Sequence, residues 1–121
     1  MLRRTQPQPV ETIEMLREKH LKKYTEVYAV DGERLGMAMR LVHRPIEDVN
    51  IEQKLYRSYL IFQSILLGGT NFVPTLFIES YEPEANRLTL SVDLKTIQDE
   101  TWNREPLFVA IGRGVYEELA D

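Results

Sequence analysis

The sequence predicts a mainly β fold with one helix in front of it and short helical segments behind, on three observations. Asp31-Gly32 separates two apolar runs, residues 27–30 and 35–42, which is the composition of a tight hairpin. Leu35, Met37, Met39 and Leu41 alternate with Gly36, Ala38, Arg40 and Val42, and Leu88, Leu90 and Val92 alternate with Thr89 and Ser91. A period of two gives a strand one buried face. After Pro74, Leu76 and Ile78 face one side of a further strand while Phe77 and Tyr81 face the other.

In chain order, residues 1–9 carry two prolines and little apolar content, the composition of a flexible arm. Residues 10–24 read as a helix, with Glu11 and Glu14 near its start and Lys19, Lys22 and Lys23 near its end, each matching the helix dipole. Val10, Ile13, Leu16, Leu21 and Tyr24 make only a partial apolar stripe, so this helix is expected to lie against the domain or a partner without entering the core, and to be dispensable for folding. Residues 25–121 then form one domain. Its first two strands, 25–30 and 35–42, are joined at Asp31-Gly32 by a type I′ turn with positive φ at both residues. Residues 43–57 are polar and read as a long loop. In 58–67, Tyr59, Ile61, Ile65 and Leu67 suit a strand, while Leu55, Tyr59, Phe62 and Leu66 also keep helical spacing.

Gly68-Gly69-Thr70-Asn71 reads as a turn, 73–81 as a strand with Pro74 at its tolerated first positions, 82–86 as a turn and 87–92 as a strand. Residues 94–100 form a helical turn, 107–111 a closing strand beside Trp102 and Pro106, and 115–119 a last short helix. The expected core is Val27, Leu35, Met37, Leu41, Ile61, Ile65, Leu76, Ile78, Leu88, Leu90 and Val92.

Two segments carry a family resemblance. Val27-Tyr28-Ala29-Val30-Asp31-Gly32-Glu33-Arg34-Leu35-Gly36 resembles the opening hairpin of PRC-barrel domains, small β-barrels typified by a domain of the photosynthetic reaction centre H subunit and another in a small-subunit ribosome maturation factor. Phe72-Val73-Pro74-Thr75-Leu76-Phe77-Ile78, followed by Leu88-Thr89-Leu90-Ser91-Val92, is similar to the distal half of the same domain, where a strand enters through Val-Pro. The resemblance covers residues 26–92, with a weaker match through Trp102 and Pro106, and the charged segment 45–57 departs from it. It implies a small β-barrel, favours a strand at 58–67, and implies a docking or assembly role. The expectation is that neither the membrane-linked role nor the RNA-linked role of the barrel in those two proteins carries over to this sequence.

The 121 residues suffice for one modest core, at 43% apolar and 28% charged. A formal charge of −4 argues against a surface made to grip a polyanion, so no direct nucleic-acid partner is expected. Cysteine is absent, which removes disulfides, thiolate nucleophiles and cysteine-bound metals. The two arginines at the start are followed by charge where a signal peptide needs an apolar run, and the apolar stretch 60–67 is interrupted by Gln63 and Ser64. A cytoplasmic protein without membrane insertion is the expectation.

Catalytic patterns are sparse. The two histidines, His20 and His43, have no Gly-x-Ser-x-Gly elbow to serve. His20 reads as a solvated helix residue, and His43 as a strand-end residue bonded to nearby backbone. Asp48, Asn50 and Glu52 alternate like calcium ligands but lack the glycine and closing glutamate of an EF-hand. Glu79, Glu82 and Glu84 read as solvated turn acids, and Gly112-Arg113-Gly114 as an entry turn to a helix rather than an anion cradle. No cofactor or metal is expected. The expectation is a non-enzymatic module binding a protein partner through Arg44, Glu47, Asp48, Glu52 and Arg57, with a homodimer as a further form. The rival reading is a small-ligand sensor or carrier with a barrel-mouth pocket at His43 and Trp102.

Overall fold

The computed structural model describes residues 9–45 and 56–121. The chain runs α1 (Pro9–Glu18), β1 (Glu26–Tyr28), β2 (Arg34–His43), β3 (Ser58–Ser64), β4 (Gly69–Pro74), β5 (Ile78–Glu82), β6 (Arg87–Leu90), α2 (Leu94–Asp99), α3 (Leu107–Ala110) and β7 (Val115–Glu118). The fold is mainly β. Among the described residues seven strands form one sheet in the order β4-β3-β2-β1-β6-β5, with β7 also paired to β2. The β1–β6 pair is parallel and the others are antiparallel. The sheet stays open, with β4 and β5 at the two ends of its path.

β2 is the hub. Its first half pairs with β1, its second half with β7, and β3 runs along the opposite side from Met37 to His43. The ladder to β1 skips Leu35 and the ladder to β3 skips Met39. Each extra residue is a bulge that moves the following side chains to the other face. Leu35, Ala38 and Leu41 are therefore buried while Met37, expected in the core, is exposed. Gly36 follows from close strand approach: a Cβ there would lie 1.8 Å from the Gln63 carbonyl oxygen.

Two apolar groups flank the β2–β3 ribbon. The inner one joins Leu35, Leu41, Leu60 and Phe62 to Tyr81, Leu88 and Leu90 of the returning strands. Ile13 and Leu16 of α1, and Leu21 after it, are buried in this group. The first helix thus ends at Glu18, short of the expected Tyr24, and enters the core it was expected to lie outside. The outer group holds Val42, Tyr59, Ile61 and Phe72 under Phe108 and Val109 of α3. Val27, Ile61, Ile78, Leu88 and Leu90 are buried as expected, whereas Leu76 and Val92 are half-buried.

Local chemistry explains the other departures. Gly32 has φ +91° but Asp31 keeps negative φ; the Gly32 N–H donates to the Ala29 carbonyl and the Ala29 N–H to the Glu33 carbonyl. That is a three-residue loop closed by a left-handed glycine, not a type I′ turn. Strand β3 stops at Ser64, whose Oγ accepts the Leu67 N–H at 2.9 Å, so Ile65 and Leu66 stand on a hairpin tip and Ile65 is no core residue. The glycines expected as a turn begin β4 at Gly69. Pro74 ends β4, and a 3₁₀ turn over Thr75–Phe77 splits the expected strand 73–81. Asp93 caps α2, its Oδ1 accepting the Thr96 N–H at 2.9 Å.

The last two elements are exchanged relative to expectation. Residues 107–111 turn helically because Phe108 and Val109 bury on the outer face while Leu107 and Ile111 face solvent. Val115 and Tyr116, both β-formers, extend beside β2 instead of forming a helix.

Candidate functional site

Two parts of the molecule stand out as candidate sites: a polar relay and an apolar hairpin tip. In the relay, Arg17 of α1 donates from Nε to Glu117 Oε2 at 2.9 Å and from Nη2 to Oε1 at 2.7 Å. His43 Nε2 lies 2.7 Å from Glu117 Oε1, and His43 Nδ1 lies 2.7 Å from Ser58 Oγ. The Arg17 hydrogen bonds, reinforced by those of His43, hold the Glu117 carboxyl down at about 2. An ionised carboxylate only accepts, so His43 Nε2 donates to it, and in the neutral ring Nδ1 accepts from the Ser58 hydroxyl.

Ser58, His43 and Glu117 are the residue types of a hydrolytic triad. Their surroundings differ from one. Ser58 is 3% exposed, and the adjoining cleft of about 280 Å³, lined by Leu16, Arg17, His20, Leu41 and Glu117, stops short of Ser58 and His43. A nucleophile needs room for the carbonyl it attacks. The relay is a tie that fastens α1, β7, β2 and β3 to one another. It spans 15, 74 and 100 residues of sequence, so no motif spacing announces it.

The expected partner-binding set divides. Arg44 is 8% exposed: its Nε donates to the Tyr56 carbonyl at 2.9 Å and its guanidinium lies 4.3 Å from the centroid of the Phe108 ring. A guanidinium held this way is part of the packing of the outer group. It caps a row of rings, Phe108 to Tyr59 at 5.9 Å, Tyr59 to Tyr56 at 6.1 Å, Tyr56 to Phe77 at 5.8 Å and Phe77 to Trp102 at 5.1 Å. Burial pushes the Tyr56 and Tyr59 phenols up, keeping both protonated. Arg57 is exposed, while Glu47, Asp48 and Glu52 lie outside the described residues. His43 and Trp102 are not brought together as a pocket; one is held by Ser58 and Glu117, the other packs on Phe77 in the inner group. Gly112-Arg113-Gly114 leads into β7 and not into a helix.

The surface most at odds with its surroundings is the β3–β4 tip. Ile65 is 102% exposed and Leu66 53% exposed, beside the exposed Met37. Below them opens a cleft of about 500 Å³ lined by Arg34, Leu35, Met37, Gln63, Ile65 and Leu66. A turn needs glycine or polar residues for its geometry, which Gly68 at φ +84° and Ser64 Oγ supply here; it has no need of adjacent aliphatics in water. The pair Ile65-Leu66 is plain in the sequence, but its apolar character merges there with the strand before it.

Comparison with known proteins returns no match: no family model, no curated protein and no solved structure aligns with this chain. Among the described residues no helix is long and apolar enough to cross a membrane, and no group of three metal-ligating side chains converges.

Proposed function

We propose that this chain is a non-enzymatic docking module of PRC-barrel-like architecture that holds a protein partner at the β3–β4 tip. The observation that carries this reading is the fully exposed Ile65 beside Leu66, above a cleft with Leu35 and Met37 in its walls. Aliphatic side chains presented this way gain when a partner covers them, at about 25 cal/mol per Å² removed from water. A net charge of −4 disfavours a polyanion or an anionic lipid surface as that cover, which leaves a protein. The PRC-barrel-like part rests on the resemblance of the two sequence segments alone.

The test is a double substitution, Ile65→Ser with Leu66→Ser, compared with the parent as bait in the native host. Both proteins melt at the same temperature, and the variant loses the specific partner that the parent retains. Equal recovery of that partner by both baits would remove the tip from consideration and the reading with it.

A further inference from the structure

The outer face of the sheet carries a second concave surface beside α3. A groove of about 400 Å³ crosses β2, β3 and β4 there, within the size range of small-ligand clefts, roughly 300–1,000 Å³. Met39, Ile61 and Phe72, one from each strand, give it an apolar floor. One step along, Gln63 of β3 faces Thr70 of β4, and its Nε2 donates to the Thr70 Oγ1 at 2.6 Å. That bond leaves the Gln63 side-chain carbonyl as an acceptor and the Thr70 hydroxyl as a donor, the complement of a peptide N–H and C=O.

The two ends of the groove carry opposite charge. Lys23 stands at the β2 end, where its N–H donates to the Ala120 carbonyl past β7 and the Tyr24 N–H donates to the Ala38 carbonyl of β2. Glu105 stands at the β4 end, on the segment that the Trp102 carbonyl ties to β4 through the Phe72 N–H at 2.7 Å. Among the described residues neither the Lys23 ammonium nor the Glu105 carboxylate is ion-paired, and Lys23 Nζ lies 5.3 Å from the centroid of the Tyr24 ring. The remaining rim charges, Arg40 and Glu118, pair with each other at 3.2 Å, the guanidinium lying 3.9 Å from the centroid of the Tyr116 ring.

We infer that this groove binds a short apolar peptide with both termini free, about three residues long, its carboxylate at Lys23 and its ammonium at Glu105. Charge selects a zwitterion, because a simple anion would meet Glu105 and a simple cation would meet Lys23. Width selects the length: three strands about 4.8 Å apart make a floor about 10 Å across, and three extended residues span about 10–11 Å. The floor favours aliphatic side chains, while Gln63 and Thr70 satisfy a peptide group that would otherwise be covered unpaired. The groove shares only Gln63 with the cleft below the hairpin tip, so the inference stands apart from the proposed docking site.

The probe is the tripeptide Ala-Val-Ala with free termini, titrated into the isotope-labelled full chain. Backbone amide resonances of Met39, Ile61, Gln63, Thr70 and Phe72 shift and saturate at roughly millimolar peptide. Acetylating the amino end or amidating the carboxyl end weakens binding about threefold or more. In Lys23→Gln amidation no longer matters while acetylation still does, and in Glu105→Gln the reverse holds, with both variants melting at the parent's temperature. No saturable shift at about 10 mM peptide overturns the inference. So does a doubly blocked tripeptide that binds the parent as tightly as the free one, or free valine that binds as tightly as the tripeptide. A blocking effect unchanged in both variants removes Lys23 and Glu105 from the site and overturns it as well. Binding lost in the Ile65→Ser, Leu66→Ser variant places the peptide at the tip and also overturns it, whereas recovery of a protein partner by that variant bears on the docking reading alone.

Discussion

The two sides of the β2–β3 ribbon are closed by different means. On the inner side, α1 and the returning strands β5 and β6 bring Leu16, Tyr81, Leu88 and Leu90 onto Leu41, Leu60 and Phe62, all fully buried. On the outer side the cover among the described residues is a four-residue helix, α3, whose Phe108 ring supports a buried guanidinium. The first closure draws on elements from both ends of the chain; the second, among the described residues, draws on one turn of helix. Stability is therefore concentrated on the inner side, and the outer side has more freedom to relax around a change.

The largest expected effect breaks the inner side outright. Removing residues 1–18 strips Ile13 and Leu16 from the core, each worth about 2–5 kcal/mol when truncated to alanine, against a total near 5–15 kcal/mol for a small domain. The shortened chain is expected to lose its cooperative melting transition; if it keeps one, the helix is an accessory after all. Next come neighbours on β3 that point to opposite sides. Leu60→Ala should fall in the upper part of about 2–5 kcal/mol and Ile61→Ala in the lower part, because α3 can settle onto the space left. Denaturant midpoints that rank them the other way would show that the outer side is the more tightly determined.

A smaller effect sharpens the link between α1 and β7. The Glu117 carboxyl is lowered from about 4.5 to about 2, so its contribution is complete above pH 4.5 and is lost as pH falls toward 2. Glu117→Gln, which has no such proton to take up, should melt lower at pH 7 and show a shallower decline across that window; parallel melting curves would mean that the ion pair adds nothing. The smallest effect belongs to neither side. Ile65→Ser with Leu66→Ser should change stability by less than about 0.5 kcal/mol, since surface substitutions away from packed or capped positions rarely do more.

What can be read from the sequence follows the same division. The inner strands carry clean alternation, and it places Leu35, Leu41, Leu88 and Leu90 in the core because a period of two depends on near neighbours alone. The same alternation misplaces Met37, because bulges at Leu35 and Met39 come from pairing with two different strands, which one strand's pattern does not encode. Helix 107–110 and strand 115–118 exchange places because short apolar runs suit either form, and contact with Val42 and Tyr59 decides between them. Arg44 looks like a surface charge in a polar run; only the fold brings Phe108 beneath it. The relay is the least legible, its members being joined only in space.

That relay has a consequence for how the protein is made. Arg17 and Glu117 are separated by 100 positions, and Lys19 reaches a carbonyl 62 positions ahead of it. At roughly 5–20 residues per second, translation supplies the partner of Arg17 about 5–20 s after Arg17 itself. The β3–β4 and β5–β6 hairpins can form as soon as their second strands are synthesised, since their pairings are local. The first helix has no such early partner. During synthesis Ile13 and Leu16 wait in water beside an unfinished sheet, so this segment is where a nascent-chain chaperone would find its longest-lived binding site.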